Sequence, residues 1–494
     1  MRKLKPVLFF LLLFISLASI SGVIYAFSNF AFETNPLEQI IFHIMVPTYG
    51  TGSAFVKGIL VQCVILPFAV AFFLVYVIYN KTSYFEFSIL DRYNFRPFLY
   101  LKKHRFLLAS MFCVISLAIC LYRIGFFGYI DNLTKSTTLY EDEYVDPSQI
   151  EFTFPEKKRN LICIFLESVE TSDYSYDEGG AFPENYIPEL YQLAQDNITF
   201  NDNQGYYVLS DTGWTVAAMI AHTSGINLSI PIDGNSYISD SRFLVGAYSI
   251  GEILEKEGYT NELLIGSDAS FGGRRDYFTQ HGHYLIHDYN WSVDTGLIDY
   301  YEWWGFEDFK LFEFAKNDLL ELAEKDEPFN LTLLTVDSHH MGGYTCKLCR
   351  DDYDIYSLAN VFACTSRQTC EFVEWVQQQD FYENTTIIIV GDHCSMDTTW
   401  GGKMPEDYQR KVYYTIINPA EGCVPTQDRK LNTADFYPTT VASLGITWKG
   451  DRLGLGTNLF SETETLVEKY GLEELNRLAS KHSRYYEKHI LYGE

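Results

Sequence analysis

Three long apolar runs open the chain, at about residues 6–28, 58–80 and 106–129. Each is long enough to cross a hydrocarbon core. A soluble reading would demand three very long buried helices in succession, so the pattern predicts a membrane domain of three transmembrane helices over residues 1–130. The first run follows Arg2, Lys3 and Lys5, exceeds the usual apolar part of a signal peptide and lacks a small-x-small cleavage site. From 158 to about 462 the pattern changes: short apolar runs alternate with helical periodicity, which predicts an α/β domain with a mainly parallel central sheet. Runs at 161–166, 329–336, 387–391 and 412–417 are its clearest strand candidates. Residues 131–157 are polar and acidic, carry Pro147 and Pro155, and read as a juxtamembrane linker. Residues 463–494 read as a polar helical tail, with Tyr485 and Tyr486 available to pack back.

Charge orients this layout. Lys81, Arg92, Arg96, Lys102, Lys103 and Arg105 crowd the segment between the second and third runs, while 30–57 holds only Lys57. The positive-inside rule therefore puts the N-terminus and the 81–105 loop in the cytoplasm, and three crossings put everything after about residue 130 on the far side. Arg123, near the outer end of the third run, fits a snorkelling side chain. Residues 1–130 carry 11 Lys or Arg against 4 Asp or Glu; the remainder carries 26 against 60. So acidic an exported domain disfavours nucleic acid as a partner, although a bound metal can still draw an anionic lipid to it. Cys63, Cys113 and Cys120 fall in the apolar runs and Cys163 on a strand. Cys346, Cys349, Cys364, Cys370, Cys394 and Cys423 form an even set for which up to three disulfides are expected, Cys346 and Cys349 pairing with Cys364 and Cys370. A four-cysteine zinc knot is the alternative.

Two of the strands end on chemistry. Leu161–Leu166 leads into Glu167, and Ile387–Gly391 leads into Asp392 and His393. In a parallel sheet such residues emerge at the carboxyl edge, where ligands bind. Carboxylates with an imidazole suit Mn²⁺, Mg²⁺ or Zn²⁺. Glu170, three residues on, is a fallback ligand. Between the two motifs, Gly213-Trp214-Thr215 opens an apolar helical stretch, placing a hydroxyl where helix N–H groups collect phosphate. The plainer reading is a helix capped by Asp211 or Thr212, with Thr215 an ordinary first-turn residue. Ser338-His339-His340 follows a further strand and reaches the same edge. Gly272-Gly273-Arg274-Arg275-Asp276 offers a loop with two guanidinium groups for phosphate contact.

Together, Phe165-Leu166-Glu167-Ser168-Val169-Glu170, Thr212-Gly213-Trp214-Thr215, Thr335-Val336-Asp337-Ser338-His339-His340, Asp392-His393 and Leu453-Gly454-Leu455-Gly456 resemble the membrane-bound phosphoglycerol transferases of the alkaline-phosphatase/sulfatase superfamily, with lipoteichoic acid synthase as a relative. The resemblance spans about 155–462 and implies a sulfatase-like fold. It implies Glu167, Thr215, Asp392 and His393 as metal ligands, with Thr215 also the nucleophile. It further implies His339 as the substrate histidine, Arg275 as the phosphate contact, and Mn²⁺ as the usual metal. The implied donor is phosphatidylglycerol, met at the bilayer, and the implied acceptor an envelope glycan. The implied location is a bacterial inner (cell) membrane with the catalytic domain on the periplasmic or extracellular side. Gly273 and Met341 depart from aromatic and proline positions of relatives, and no Cys/Ser-x-Pro-x-Arg motif surrounds Thr215, which speaks against a formylglycine sulfatase. Phosphoethanolamine transfer, a phosphodiesterase and a degenerate binding protein are the rivals.

Overall fold

The computed structural model describes residues 4–29, 37, 39–41, 57–80, 87–89, 93–95, 97–229, 242–325 and 327–494. The chain divides into two compact units, residues 1–30 with 51–130, and residues 31–50 with 131–494. The first unit is built on helices α1 (Leu4–Asn29), α2 (Leu66–Asn80) and α3 (Pro97–Arg123), with a π-helical turn at Leu60–Ile65 leading into α2. Three segments, Lys5–Ser28, Lys57–Tyr79 and Lys102–Arg123, are long and apolar enough to cross a membrane. Phe72, Phe73 and Val114 lie exposed on these helices, as lipid-facing side chains do. The third helix stops earlier than the apolar run suggests. Gly125 adopts a left-handed conformation (φ 74°) that ends α3, and Phe126–Thr134 forms a separate short helix. Much of 30–57 and 81–105, on which the topology reading rests, lies outside the described residues.

The second unit is a seven-stranded sheet between helical layers. Its strands are β1 (Asn160–Leu166), β2 (Gly205–Tyr206), β3 (Thr260–Ile265), β4 (Leu285–His287), β5 (Phe329–Leu334), β6 (Thr385–Gly391) and β7 (Val412–Ile417), in spatial order β2-β7-β6-β1-β5-β3-β4. The run β6-β1-β5-β3-β4 is parallel; β7 is antiparallel to β6 and to β2. Every residue of β1, β5 and β6 is buried, which explains their continuous apolar character. Along β1 the side chains alternate between two cores: Leu161, Cys163 and Phe165 face one, Ile162, Ile164 and Leu166 the other. The register decides where chemistry emerges. Leu166 pairs with Gly391 and Phe165 with Leu334, so β1, β5 and β6 end together.

Helix α4 (Thr215–Ser224) packs on the first of these cores, with every residue after Thr215 buried. Ala217, Ala218 and Ala221 give it the small all-round profile of a fully covered helix. His222 within it donates from Nδ1 to the Ala218 carbonyl at 2.8 Å, and burial pushes its imidazole down to about 4. The folded domain therefore refuses a proton that the unfolded chain accepts below about pH 6.5, so the contribution of His222 to stability falls as pH falls from about 6.5 to 4, by up to about 3 kcal/mol. His222→Leu is expected to flatten that slope in denaturation curves measured at pH 7 and 4.5.

Residues 131–157 are polar, yet they do not run free of the domain. Val145 pairs with Gly454, Thr153 with Thr447, and the Tyr140 hydroxyl donates to Asn227 Oδ1 at 2.6 Å. Glu143 is buried, and although burial pushes its carboxyl up, Arg452, Lys469 and Tyr470 more than offset this and hold it down at about 2. Tyr140 and Glu143 thus find their partners on the domain. The tail packs back as well: Tyr486 meets the Tyr140 ring edge-on at 5.1 Å, and Leu475, Ala479, Ile490 and Leu491 are buried. Asn476 of the tail accepts the Ser210 N–H at 2.8 Å, bracing the turn that leads to Thr215.

Candidate active site

Glu167 and Asp392 are the first residues beyond the paired ends of β1 and β6, and the matched register sets them side by side. Their backbones are tied by the Asp392 N–H to the Leu166 carbonyl at 3.0 Å. Asp392 Oδ1 accepts the N–H groups of Ser168 (2.8 Å) and His393 (2.7 Å), which leaves Oδ2 facing inward. Glu167 accepts the Ser168 hydroxyl at 2.7 Å on Oε1, while its own N–H donates to Thr335 Oγ1 at 2.9 Å. His393 donates from Nδ1 to the Cys394 carbonyl at 2.9 Å. That bond fixes the tautomer and turns the Nε2 lone pair toward the carboxylates. Nε2 lies 3.4 Å from Asp392 Oδ2 and 3.7 Å from Glu167 Oε1.

Thr215 completes the group. Trp214, in extended conformation, is the residue before the helix, so neither Asp211 nor Thr212 occupies the capping position. The Thr215 hydroxyl lies 3.3 Å from Glu167 Oε2 and 3.4 Å from His393 Nε2. Glu167, Asp392 and His393 are buried, whereas Thr215 is half-buried, the member of the four that solvent reaches. A small cavity opens over it, walled by Glu167, Thr215, Phe271, Arg274, Trp304 and His339.

These donors fit a divalent cation. Asp392 Oδ2 is buried and makes no hydrogen bond, and the ligand atoms of Glu167, Asp392 and His393 lie within 4.8 Å of one another. Burial, then the Glu167 carboxylate, push Asp392 up to about 7. Burial also raises Glu167, but His339 and His393 outweigh it and hold that carboxyl below its ordinary value. Two buried carboxylates compete for too little positive charge, which a cation would supply.

Two of the expected site residues take other partners. Glu170, the fallback ligand, is fully buried but turned away from this cluster: Arg410 binds it through two nitrogens, Nε to Oε2 at 2.8 Å and Nη2 to Oε1, and the Ser395 N–H donates to Oε1 at 3.1 Å. Arg275, the expected phosphate contact, pairs through Nη2 with Asp288 and through Nε with Ser270 Oγ at 3.3 Å. The cavity wall takes its neighbour Arg274 instead. Gly272 and Gly273, at φ 70° and 78°, set the start of helix α5 (Arg274–Gln280) so that its first residue turns inward; the next lies a further ~100° around the helix and meets Asp288. Arg274 is buried, which lowers its guanidinium to about 10, and it donates to the Phe271 and Asp268 carbonyls and Ser267 Oγ. Among the described residues no carboxylate forms an ion pair with it, so its charge is available to an anion in the cavity. Adjacent arginines in a glycine-led helix start were the sequence signal; which of the two faces inward was not.

His339 enters from the segment after β5. Its Nδ1 donates to the His340 carbonyl at 2.7 Å, and its ring packs against Trp304 at 4.6 Å between centroids. Burial pushes its imidazole below the ordinary value. Ser338 anchors the segment by donating to the Glu167 carbonyl. Trp304 carried no recognisable motif, because it joins the site from a distant loop.

The sequence profile of the Sulfatase family matches residues 159–442. The chain belongs to the sulfatase family, and its three apolar N-terminal helices make it a membrane protein with a C-terminal sulfatase domain. It is 29% identical over 351 residues to phosphoglycerol transferase I of Citrobacter koseri, and 30% identical over 352 residues to phosphoglycerol transferase I of Escherichia coli. Each alignment covers 68% of this chain and 44% of the relative, so the chain spans less than half the length of the curated relatives it matches. Among solved structures, the lipoteichoic acid synthase LtaP from Listeria monocytogenes is similar at 19% identity, with a TM-score of 0.49 over 64% of this chain and 80% of that one.

Proposed function

We propose that the protein is a metal-dependent phosphoglycerol transferase. It moves glycerol phosphate from phosphatidylglycerol to an envelope glycan and releases diacylglycerol. The observation that carries this reading is the Thr215 hydroxyl, half-buried at a helix N-terminus within 3.4 Å of both a carboxylate oxygen and an imidazole nitrogen of the proposed metal cluster. The membrane helices support a lipid donor, and the name shared by relatives at about 30% identity supports glycerol phosphate as the group transferred. Glu167, Thr215, Asp392 and His393 would hold the metal, for which Mn²⁺ is our choice. The metal would ease deprotonation of the hydroxyl and neutralise charge on phosphate oxygens.

The protein's own groups divide the remaining work. Arg274 holds the nonbridging oxygens of the phosphate while Thr215 Oγ1, having released its proton to solvent, attacks phosphorus and the bond to diacylglycerol breaks; Oγ1 recovers a proton from solvent when the acceptor displaces it. The Nδ1–H of His339 is committed to the His340 carbonyl, so Nε2 is its working atom. Protonated, it gives a proton to the departing oxygen; neutral again, it takes one from the acceptor hydroxyl that displaces glycerol phosphate from Thr215. The domain acts on the far side of the membrane from the cytoplasm.

Purified protein given radiolabelled phosphatidylglycerol and a panel of envelope glycans should release diacylglycerol and label a sugar. Release from phosphatidylethanolamine instead would mark a phosphoethanolamine transferase, and label appearing only in water-soluble glycerol phosphate a phosphodiesterase. Chelation is expected to abolish turnover and added Mn²⁺ to restore it. Arg274→Ala is expected to lower kcat/KM by about 10²-fold, Arg274→Lys to restore little of it, and Arg275→Ala to cost far less. Equal losses in the two alanine variants would return the phosphate contact to Arg275.

A further inference from the structure

The cysteines of the second unit do not form the expected disulfides. None of the ten cysteines is joined in a disulfide. Cys370 cannot join the others, because it lies six residues beyond Cys364 on helix α6 (Ser357–Gln377), which puts it ~240° around the axis. It sits instead among apolar side chains of the second core. The remaining three converge. Cys346 Sγ lies 3.8 Å from Cys364 Sγ and 3.7 Å from Cys349 Sγ, and all three sulphurs are within 4.8 Å of one another. A disulfide needs ~2.05 Å. Thiolates placed ~2.3 Å from a tetrahedral zinc are ~3.8 Å apart, the separation seen here.

Three further features favour a cation over a bond. Gln368 Nε2 donates to Cys364 Sγ at 3.3 Å, and the Cys349 N–H, donating to the Cys346 carbonyl at 3.1 Å, closes a tight turn that sets these two cysteines side by side. A donor such as Gln368 Nε2 stabilises a thiolate and is a typical partner of metal-bound sulphur. Three sulphurs are also an odd number, so pairing two would strand the third. Finally, Asp337 is buried with both carboxylate oxygens free of hydrogen bonds, and it interacts electrostatically with Cys346 and Asp308.

We propose that Cys346, Cys349 and Cys364 bind a zinc ion, separate from the Glu167–Asp392–His393 centre, which clips the segment following His339 onto α6. The described residues supply three ligands, and water takes the fourth position. Cys346 and Cys349 lie a few residues beyond His339, and Cys364 is on a helix packed in the second core. The ion would thereby fix the end of a loop whose beginning reaches the cavity. This inference stands whether or not the domain transfers glycerol phosphate.

The test uses the full chain in detergent, carrying Glu167→Gln and Asp392→Asn to empty the other centre. It is expected to retain about one equivalent of zinc. Exchange for Co²⁺ should produce the intense thiolate-to-metal charge-transfer absorption, unchanged by Cys370→Ser and lost in Cys346→Ser. The cobalt spectrum needs no cysteine variant, so a misfolded Cys346→Ser protein would not obscure the result. Absence of zinc and of the cobalt band, together with a disulfide-linked peptide joining two of the three cysteines in unreduced protein, would overturn the proposal. So would a band that survives in Cys346→Ser.

Discussion

Thr215→Ala is expected to lower turnover by at least about 10³-fold while the protein stays folded. The methyl and backbone of Thr215 take no part in the core; the residues that bury α4 begin at Val216. What the substitution removes is one oxygen, the one placed between Glu167 Oε2 and His393 Nε2 and open to the cavity. A covalent mechanism has no substitute for that atom, and neighbouring Thr212 cannot supply one because its hydroxyl is buried and donates to the Leu209 carbonyl at 2.8 Å. Thr215→Ser should keep a measurable fraction of the rate. With acceptor withheld, the wild-type chain incubated with labelled donor should carry label on the peptide containing Thr215, and the alanine variant none. Full activity in Thr215→Ala would end the covalent scheme.

The second large effect is expected at Arg410. Its guanidinium holds the Glu170 carboxylate through two nitrogens and also donates to the Ser395 carbonyl at 2.8 Å. Glu170 is fully buried, and removing its partner leaves a charge with no solvent to turn to. Arg410→Ala should therefore destabilise the domain by about 3–5 kcal/mol, read as a lowered unfolding midpoint. Arg410→Leu with Glu170→Gln should recover much of this loss, because the stranded charge is gone. The pair also joins two loops that carry the proposed metal ligands, one running on from Glu167 and the other from His393. Metal affinity should fall in Arg410→Ala more than stability alone explains.

The meeting of Glu167 and Asp392 was legible because both follow strands: each ends a buried apolar run, and a parallel sheet brings such ends to one edge. Thr215 was legible through the apolar helix behind it. Arg274 was not, since choosing between adjacent arginines depends on the left-handed Gly272 and Gly273 that set the helix start. The cysteine arrangement was hidden for a similar reason: spacing alone does not say that Cys364 and Cys370 leave α6 in different directions. Polarity misled at 131–157, where Glu143 is buried against Arg452 and Lys469 from more than 300 residues away. The apolar run at 106–129 overstated a helix because Gly125 breaks it without interrupting the hydrophobicity.

The coincident ends of β1 and β6 constrain how this family can change length. One residue inserted in either strand would slide its acidic terminus by ~3.3 Å and turn it to the opposite side of the sheet. Deletion would do the same in reverse. Homologous chains should therefore vary freely in the connections far from this edge, yet keep the count between the β1–β6 pairing and their acidic residues invariant, and a deep insertion scan should find silence broken there first.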